Sequence, residues 1–110
     1  MEAVDVLSSA FFNANRDRFA ELALKYRLPM ICESGEYVRA GCLLSYGPNF
    51  VYLFKQAANY ADKIIKGAKP ADLPVEQPTK FEMLVNLKTA KAIGLELSQS
   101  FLLRADAVIE

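Results

Sequence analysis

Three short stretches carry side chains able to hold a small molecule, each where an apolar run gives way to turn residues. In Ser8-Ser9-Ala10-Phe11-Phe12-Asn13, hydroxyls and an amide can fix a polar group while an aromatic ring covers its apolar part. In Ser45-Tyr46-Gly47-Pro48-Asn49, just ahead of a helical pattern, unpaired backbone N–H groups and the positive helix end could hold a carboxylate, and Gly47 allows close approach. In Cys32-Glu33-Ser34, the Glu33 carboxylate could accept an ammonium group. The chemistry in each case is non-covalent capture. The same residues also have structural uses, Phe11 and Phe12 as core, Ser8, Ser9 and Asn13 as caps, and Glu33 as a solvated strand end.

Covalent chemistry finds little to work with. Histidine is absent, which removes the commonest general base and the commonest transition-metal ligand. Cys32 and Cys42 lack the close pair spacing of a structural zinc site, and they read either as free buried thiols or as one disulfide. There is no Gly-rich phosphate loop and no Gly-x-Ser-x-Gly elbow to activate Ser8, Ser9 or Ser45. No catalytic residue, metal ligand or cofactor is therefore expected.

Thirteen basic and thirteen acidic residues cancel, and no basic block of five occurs, so no nucleic-acid surface is expected. No apolar run is long enough to cross a bilayer, so no membrane insertion is expected, and Met1-Glu2-Ala3-Val4-Asp5 lacks the pattern of a signal peptide. A content of 53% hydrophobic and 24% charged residues is that of a chain that builds a core.

The elements that must position these stretches follow from an apolar period that switches between two and 3.6. Residues 4–8 read as a short strand, and 15–27 as a helix with Phe19, Leu22, Ala23 and Tyr26 on one face and Asn13 or Asn15 as its cap. Residues 30–32 form a second strand, 35–40 a short helix and 42–46 a third strand. The longest helix is opened by Pro48 and ended by Gly67, with Phe50, Leu53, Phe54, Ala57, Ala58, Ala61, Ile64 and Ile65 expected to pack. Three prolines between Lys69 and Pro78 favour an extended crossing segment. Residues 81–87 then alternate as a strand, Asn86 caps a helix ending at Gly94, and a last helix is expected over 98–109. Alternating strands and helices predict an α/β fold of βαβ units with a mostly parallel sheet, whose ligands collect at the carboxyl ends of the strands.

The order of motifs carries more than any one of them. The run from Lys69 through Pro70, Pro74 and Pro78 to Glu82, then Met83 through Asn86 to Leu95, resembles the carboxy-terminal segment of the solute-binding receptors of bacterial ABC importers, in the tryptophan, tyrosine or sugar branch. The resemblance extends through Phe11 to Arg18, Leu28-Pro29 and Leu43 to Asn49, and so covers nearly all 110 residues. It implies a fragment of a two-lobed periplasmic-binding-protein-like fold, with 1–44 in the second lobe, 45–74 a hinge segment and long helix, and 75–110 the crossing strand and final helices. It implies periplasmic residence, a small-molecule solute, an ABC permease as partner, and a cleft lined at Ser45 and Tyr46. The expected ligand-binding set is Ser9, Phe11, Phe12, Glu33, Ser45, Tyr46 and Gly47; aromatic or branched amino acids and sugars all suit it. Two alternatives stand beside this one: a self-associating α/β domain, homo-oligomeric and open to domain swapping through uncovered edges, and an enzyme on a similar scaffold.

Overall fold

The first four strands are short because the helix N-cap residues Ser9, Ser34, Asn49 and Asn86 stand at or within three positions of their ends. The computed structural model describes residues 2–110. The elements are β1 (Val4–Val6), α1 (Ala10–Ala14), α2 (Arg16–Lys25), β2 (Met30–Cys32), α3 (Gly35–Ala40), β3 (Leu44–Pro48), α4 (Phe50–Ile65), a 3-10 turn at Pro70–Asp72, β4 (Phe81–Asn86), α5 (Leu87–Ala92), α6 (Gln99–Leu102) and β5 (Ala107–Ile109).

One five-stranded sheet runs in the order β1-β2-β3-β4-β5, and the pairs β1 with β2, β2 with β3, and β4 with β5 are parallel. The fold is the expected α/β one with a mostly parallel sheet. Because β1, β2 and β3 are neighbours in chain order, right-handed crossovers place α2 and α3 on the same face, where they pack on one another. Burial agrees across the first three strands. Val6, Met30, Cys32 and Ser45 are buried, while Asp5, Ile31 and Tyr46, one residue out of step, are exposed.

The core gathers Val6, Ala20, Ala23, Met30, Cys32, Tyr37, Val38, Cys42 and Leu84, with Phe12, Phe19 and Ile109 packed against it. Gly41 sits between α2 and α3 with φ +124°, where a Cβ would press on Ala20 at 3.3 Å, so both backbone and space call for glycine. Asn86 ties the sheet to the helices twice. Its Oδ1 accepts from Thr89 N (3.0 Å) to cap α5, and its Nδ2 donates to Val38 O (3.0 Å).

Several expectations change. The final stretch is not one helix but the single turn of α6, Leu103 to Asp106, and the edge strand β5, because Asp106 N donates to Met83 O and Asp106 Oδ2 accepts from Met83 N, locking the chain onto β4. In β4, Leu84, Val85 and Asn86 are all buried, so its end is covered on both faces rather than alternating. Ser9 caps α1, and Asn15 separates α1 from α2 without a side-chain cap bond. On α2 the buried residues are Ala20 and Ala23, while Leu22 and Tyr26 of the expected inner face are 40% and 64% exposed. Pro48 ends β3, and it is Asn49 that caps α4 by accepting from Tyr52 N at 3.0 Å.

By contacts the chain divides into two units. One holds the described residues up to Gly47 together with Glu82–Glu110; the other is Pro48–Phe81. The second unit is α4 and the proline-punctuated segment beside it, where Tyr60 Oη donates to Pro74 O (2.7 Å) and Lys80 Nζ lies 5.4 Å from the Tyr52 ring centre. The Tyr60 hydroxyl is held above its usual pKa, first by desolvation and then by its hydrogen bond with Glu76 and that carboxylate's charge. Among the residues of α4 none is buried, against the expectation that its apolar face packs.

Candidate functional site

Parallel pairing puts the carboxyl ends of β1, β2 and β3 on one edge of the sheet. Val6 pairs with Cys32 and Cys32 with Ser45, a row that crosses all three strands. The side chains of that row are buried on the helix side, Ser45 at 1% exposure. One position further along the chain stand Leu7, Glu33 and Tyr46, of which Glu33 is half-buried and Tyr46 61% exposed. Alternation therefore separates the candidates. Glu33 and Tyr46 are at the open rim, whereas Ser45 lies under it.

Gly47 fixes the spacing of this rim. A Cβ built there would run into the carbonyl oxygen of Glu33, so the ends of β2 and β3 approach more closely than any other residue permits. At the end of β1, Ser9 caps α1 by accepting from Phe12 N at 3.5 Å, a long bond that holds the turn loosely. Phe12 turns inward, its ring meeting Phe19 edge to face at 5.4 Å, while Phe11 is 69% exposed with its ring 6.0 Å from that of Phe12. Arg16 donates to Asn13 O (3.0 Å) and Asn13 Oδ1 (3.3 Å), closing the α1 to α2 turn. The open rim thus offers two exposed rings, a carboxylate and close-packed backbone, a set suited to gripping a small amphiphilic molecule without bond making.

Beneath the rim lies a cluster in which Tyr37, not singled out from the sequence, joins the two cysteines. Tyr37, on α3, is 1% exposed, and its hydroxyl is the one buried side-chain polar atom among the described residues without a hydrogen-bond partner. Burial raises its pKa first, the Glu33 charge adds to the rise, and Arg16 opposes it. Cys32 and Cys42 are free and buried; the Cys42 thiol donates to Met30 O at 2.8 Å. The Cys32 thiol is pushed far above the ordinary thiol range, first by its hydrogen bond with Cys42 and then by burial. The cysteines are thus free buried thiols rather than a disulfide, and the fold adds Tyr37 to them.

The profile of the family described as "ABC transporter substrate binding protein" matches residues 4–109. The chain belongs to that family. It is similar in fold to an ABC domain from Streptococcus pneumoniae solved in complex with L-Trp (TM-score 0.91, 24% identity, 99% of this chain and 37% of that one). A conserved domain protein from Vibrio cholerae superposes with a TM-score of 0.89 at 22% identity, over 96% of this chain and 36% of that one. A ligand-free, open substrate-binding protein with adhesive properties from Clostridium difficile gives a TM-score of 0.63 at 23% identity, again over 96% and 36%. No curated protein matches. The chain thus spans a little over a third of the length of these solved structures. The family is one of binding proteins rather than enzymes. Among the described residues no helix is long and apolar enough to cross a membrane, and no group of three potential metal ligands occurs.

Proposed function

We propose that this chain is the closing portion of an extracytoplasmic solute receptor of an ABC importer, supplying one wall of a cleft whose other wall lies outside these residues. The observation that supports the reading is the rim at the carboxyl ends of β1, β2 and β3, where Glu33 and Tyr46 flank the close approach of Gly47 to Glu33 and the exposed Phe11 stands on α1 after β1. Residues 1–44 then belong to one lobe, 45–74 to the hinge segment and long helix, and 75–110 to the returning strand and terminal elements.

In this reading Tyr46 and Phe11 cover an apolar side chain, Glu33 receives an ammonium group, and Ser9, Phe12, Ser45 and Gly47 set the shape of the wall from behind. An amino acid with an aromatic side chain meets these requirements. Ligand contacts to both walls favour the closed receptor, which then presents its solute to a membrane permease. A half-site alone is weak. If it binds at about 1 mM, 10 mM solute still stabilises the fold by about 1.4 kcal/mol, or about 5 °C in Tm for a domain of this size.

Differential scanning fluorimetry against aromatic and branched amino acids and simple sugars tests this. One member should raise Tm with dose, and Tyr46→Ala should remove the rise. No response to any member, or a rise unchanged in both Tyr46→Ala and Glu33→Gln, contradicts the reading.

A second reading has its own observation. The apolar residues of α4 are uncovered, Phe54 at 73% and Ile65 at 84% exposure, which favours association of this chain with copies of itself.

A further inference from the structure

The rim seats an ammonium group at Glu33 and an apolar side chain at Phe11 and Tyr46, but an α-amino acid also brings a carboxylate. The helix start to which the sequence assigned that group is taken. At the head of α4 the Asn49 side chain itself accepts from Tyr52 N at 3.0 Å, so the chain has capped the end that an anion would use.

A cation stands elsewhere on the same edge. Arg16 opens α2, and a helix that returns between two parallel strands has its first turn at their carboxyl ends. Arg16 is half-buried, so its charge is partly withdrawn from water and its hydrogen bonds gain strength. Its Nη1 donates to Asn13 O at 3.0 Å and to Asn13 Oδ1 at 3.3 Å, which fixes the group against the α1 to α2 turn. A guanidinium carries five N–H donors in a rigid fork; two bonds from Nη1 leave Nε and Nη2, side by side, for a planar two-oxygen acceptor.

Arg16 and Glu33 stand near one another without neutralising each other. Both act on the Tyr37 hydroxyl, whose pKa is raised first by burial and then by the Glu33 charge, and lowered by Arg16. That hydroxyl is buried and unpartnered, on the helix that begins two residues after Glu33. Among the described residues neither Arg16 nor Glu33 has an ion-pair partner. Opposite charges held apart on one edge match a ligand that carries both.

We propose that Arg16 binds the carboxylate of the solute through Nε and Nη2 while Glu33 takes its ammonium group, so that the site selects a zwitterionic α-amino acid over a sugar, an amine or a simple acid. This deepens the solute-receptor reading and rests on it.

Three probes separate the two charges: L-phenylalanine, phenethylamine, which lacks the carboxylate, and 3-phenylpropionate, which lacks the ammonium group. Each is titrated into the isotopically labelled chain to about 50 mM at constant ionic strength, with amide shifts read at the rim. Phenylalanine should bind about tenfold more tightly than either truncated compound, because each of those loses a charged hydrogen bond. Arg16→Gln should weaken phenylalanine and 3-phenylpropionate about tenfold and leave phenethylamine unchanged. Glu33→Gln should weaken phenylalanine and phenethylamine and leave 3-phenylpropionate unchanged. Arg16→Lys, which keeps the charge and loses the fork, should weaken the same two compounds as Arg16→Gln, but only about threefold. Equal losses for all three compounds in both Arg16 variants, or no loss in either, overturn the assignment and leave the receptor reading standing. So does a rim that answers to a simple sugar and to none of the three probes. Silence toward these probes and toward the other amino acids and sugars contradicts the receptor reading, and this assignment with it.

Discussion

Gly47 is the residue on which the rim depends most, because the contact it makes is backbone to backbone and cannot be relieved by a rotamer. Gly47→Ala should push β3 away from the Glu33 carbonyl and cost about 1–3 kcal/mol, read as a lowered midpoint in urea. The buried thiol beneath makes a prediction about pH. Since the folded-state pKa of Cys32 is raised, the folded chain keeps a proton that the unfolded thiol releases above about 8.5. Stability is full below that pH and falls as pH rises through it, the slope approaching about 1.4 kcal/mol per pH unit once the unfolded thiol is fully ionised near pH 10. Urea titrations in that window should show the loss, and Cys32→Ala should flatten it. Tyr37 differs again. Its hydroxyl is buried without a partner, so Tyr37→Phe should leave stability unchanged or raise it by up to about 1 kcal/mol; a loss of more than that would mean that the hydroxyl is satisfied in solution.

At the scale of elements, capping decides where helices start and tertiary pairing decides where the chain stops being helical. Asn86→Ala removes both the α5 cap and the bond to Val38 O, leaving a buried carbonyl and an amide unpaired, and should cost about 2–3 kcal/mol in a urea titration; Asn86→Asp keeps the cap but sets a buried acceptor against the Val38 carbonyl, and should cost at least as much. Caps at Asn86 and the turn at Gly67 were legible because their chemistry is local. The end of the chain was not, since residues 98–109 carry a helical pattern that Asp106 overrides by bonding β4 more than twenty positions away. Nor was the split between Ser45 and Tyr46, which depends on which face of a particular sheet the helices cover. Likewise α4 has an amphipathic sequence, but amphipathicity tells only that a face wants cover, not that cover is present.

For the molecule as a whole, the order of motifs identified the family more surely than any single site, because it records the path of an entire α/β chain. The rim residues could be nominated from strand ends, yet their separation into exposed Phe11 and Tyr46, half-buried Ser9, Phe12 and Glu33, and buried Ser45 required the fold. That separation is the substance of the solute-receptor account, and nuclear magnetic resonance measures it residue by residue. Titrating the isotopically labelled protein with L-tryptophan, then with other aromatic and branched amino acids and sugars, to 10 mM should shift amide signals of Phe11, Glu33, Tyr46 and Gly47 along one saturable curve, with α4 unmoved. Shifts confined to α4, or no response at the rim to any of these solutes, would contradict the account.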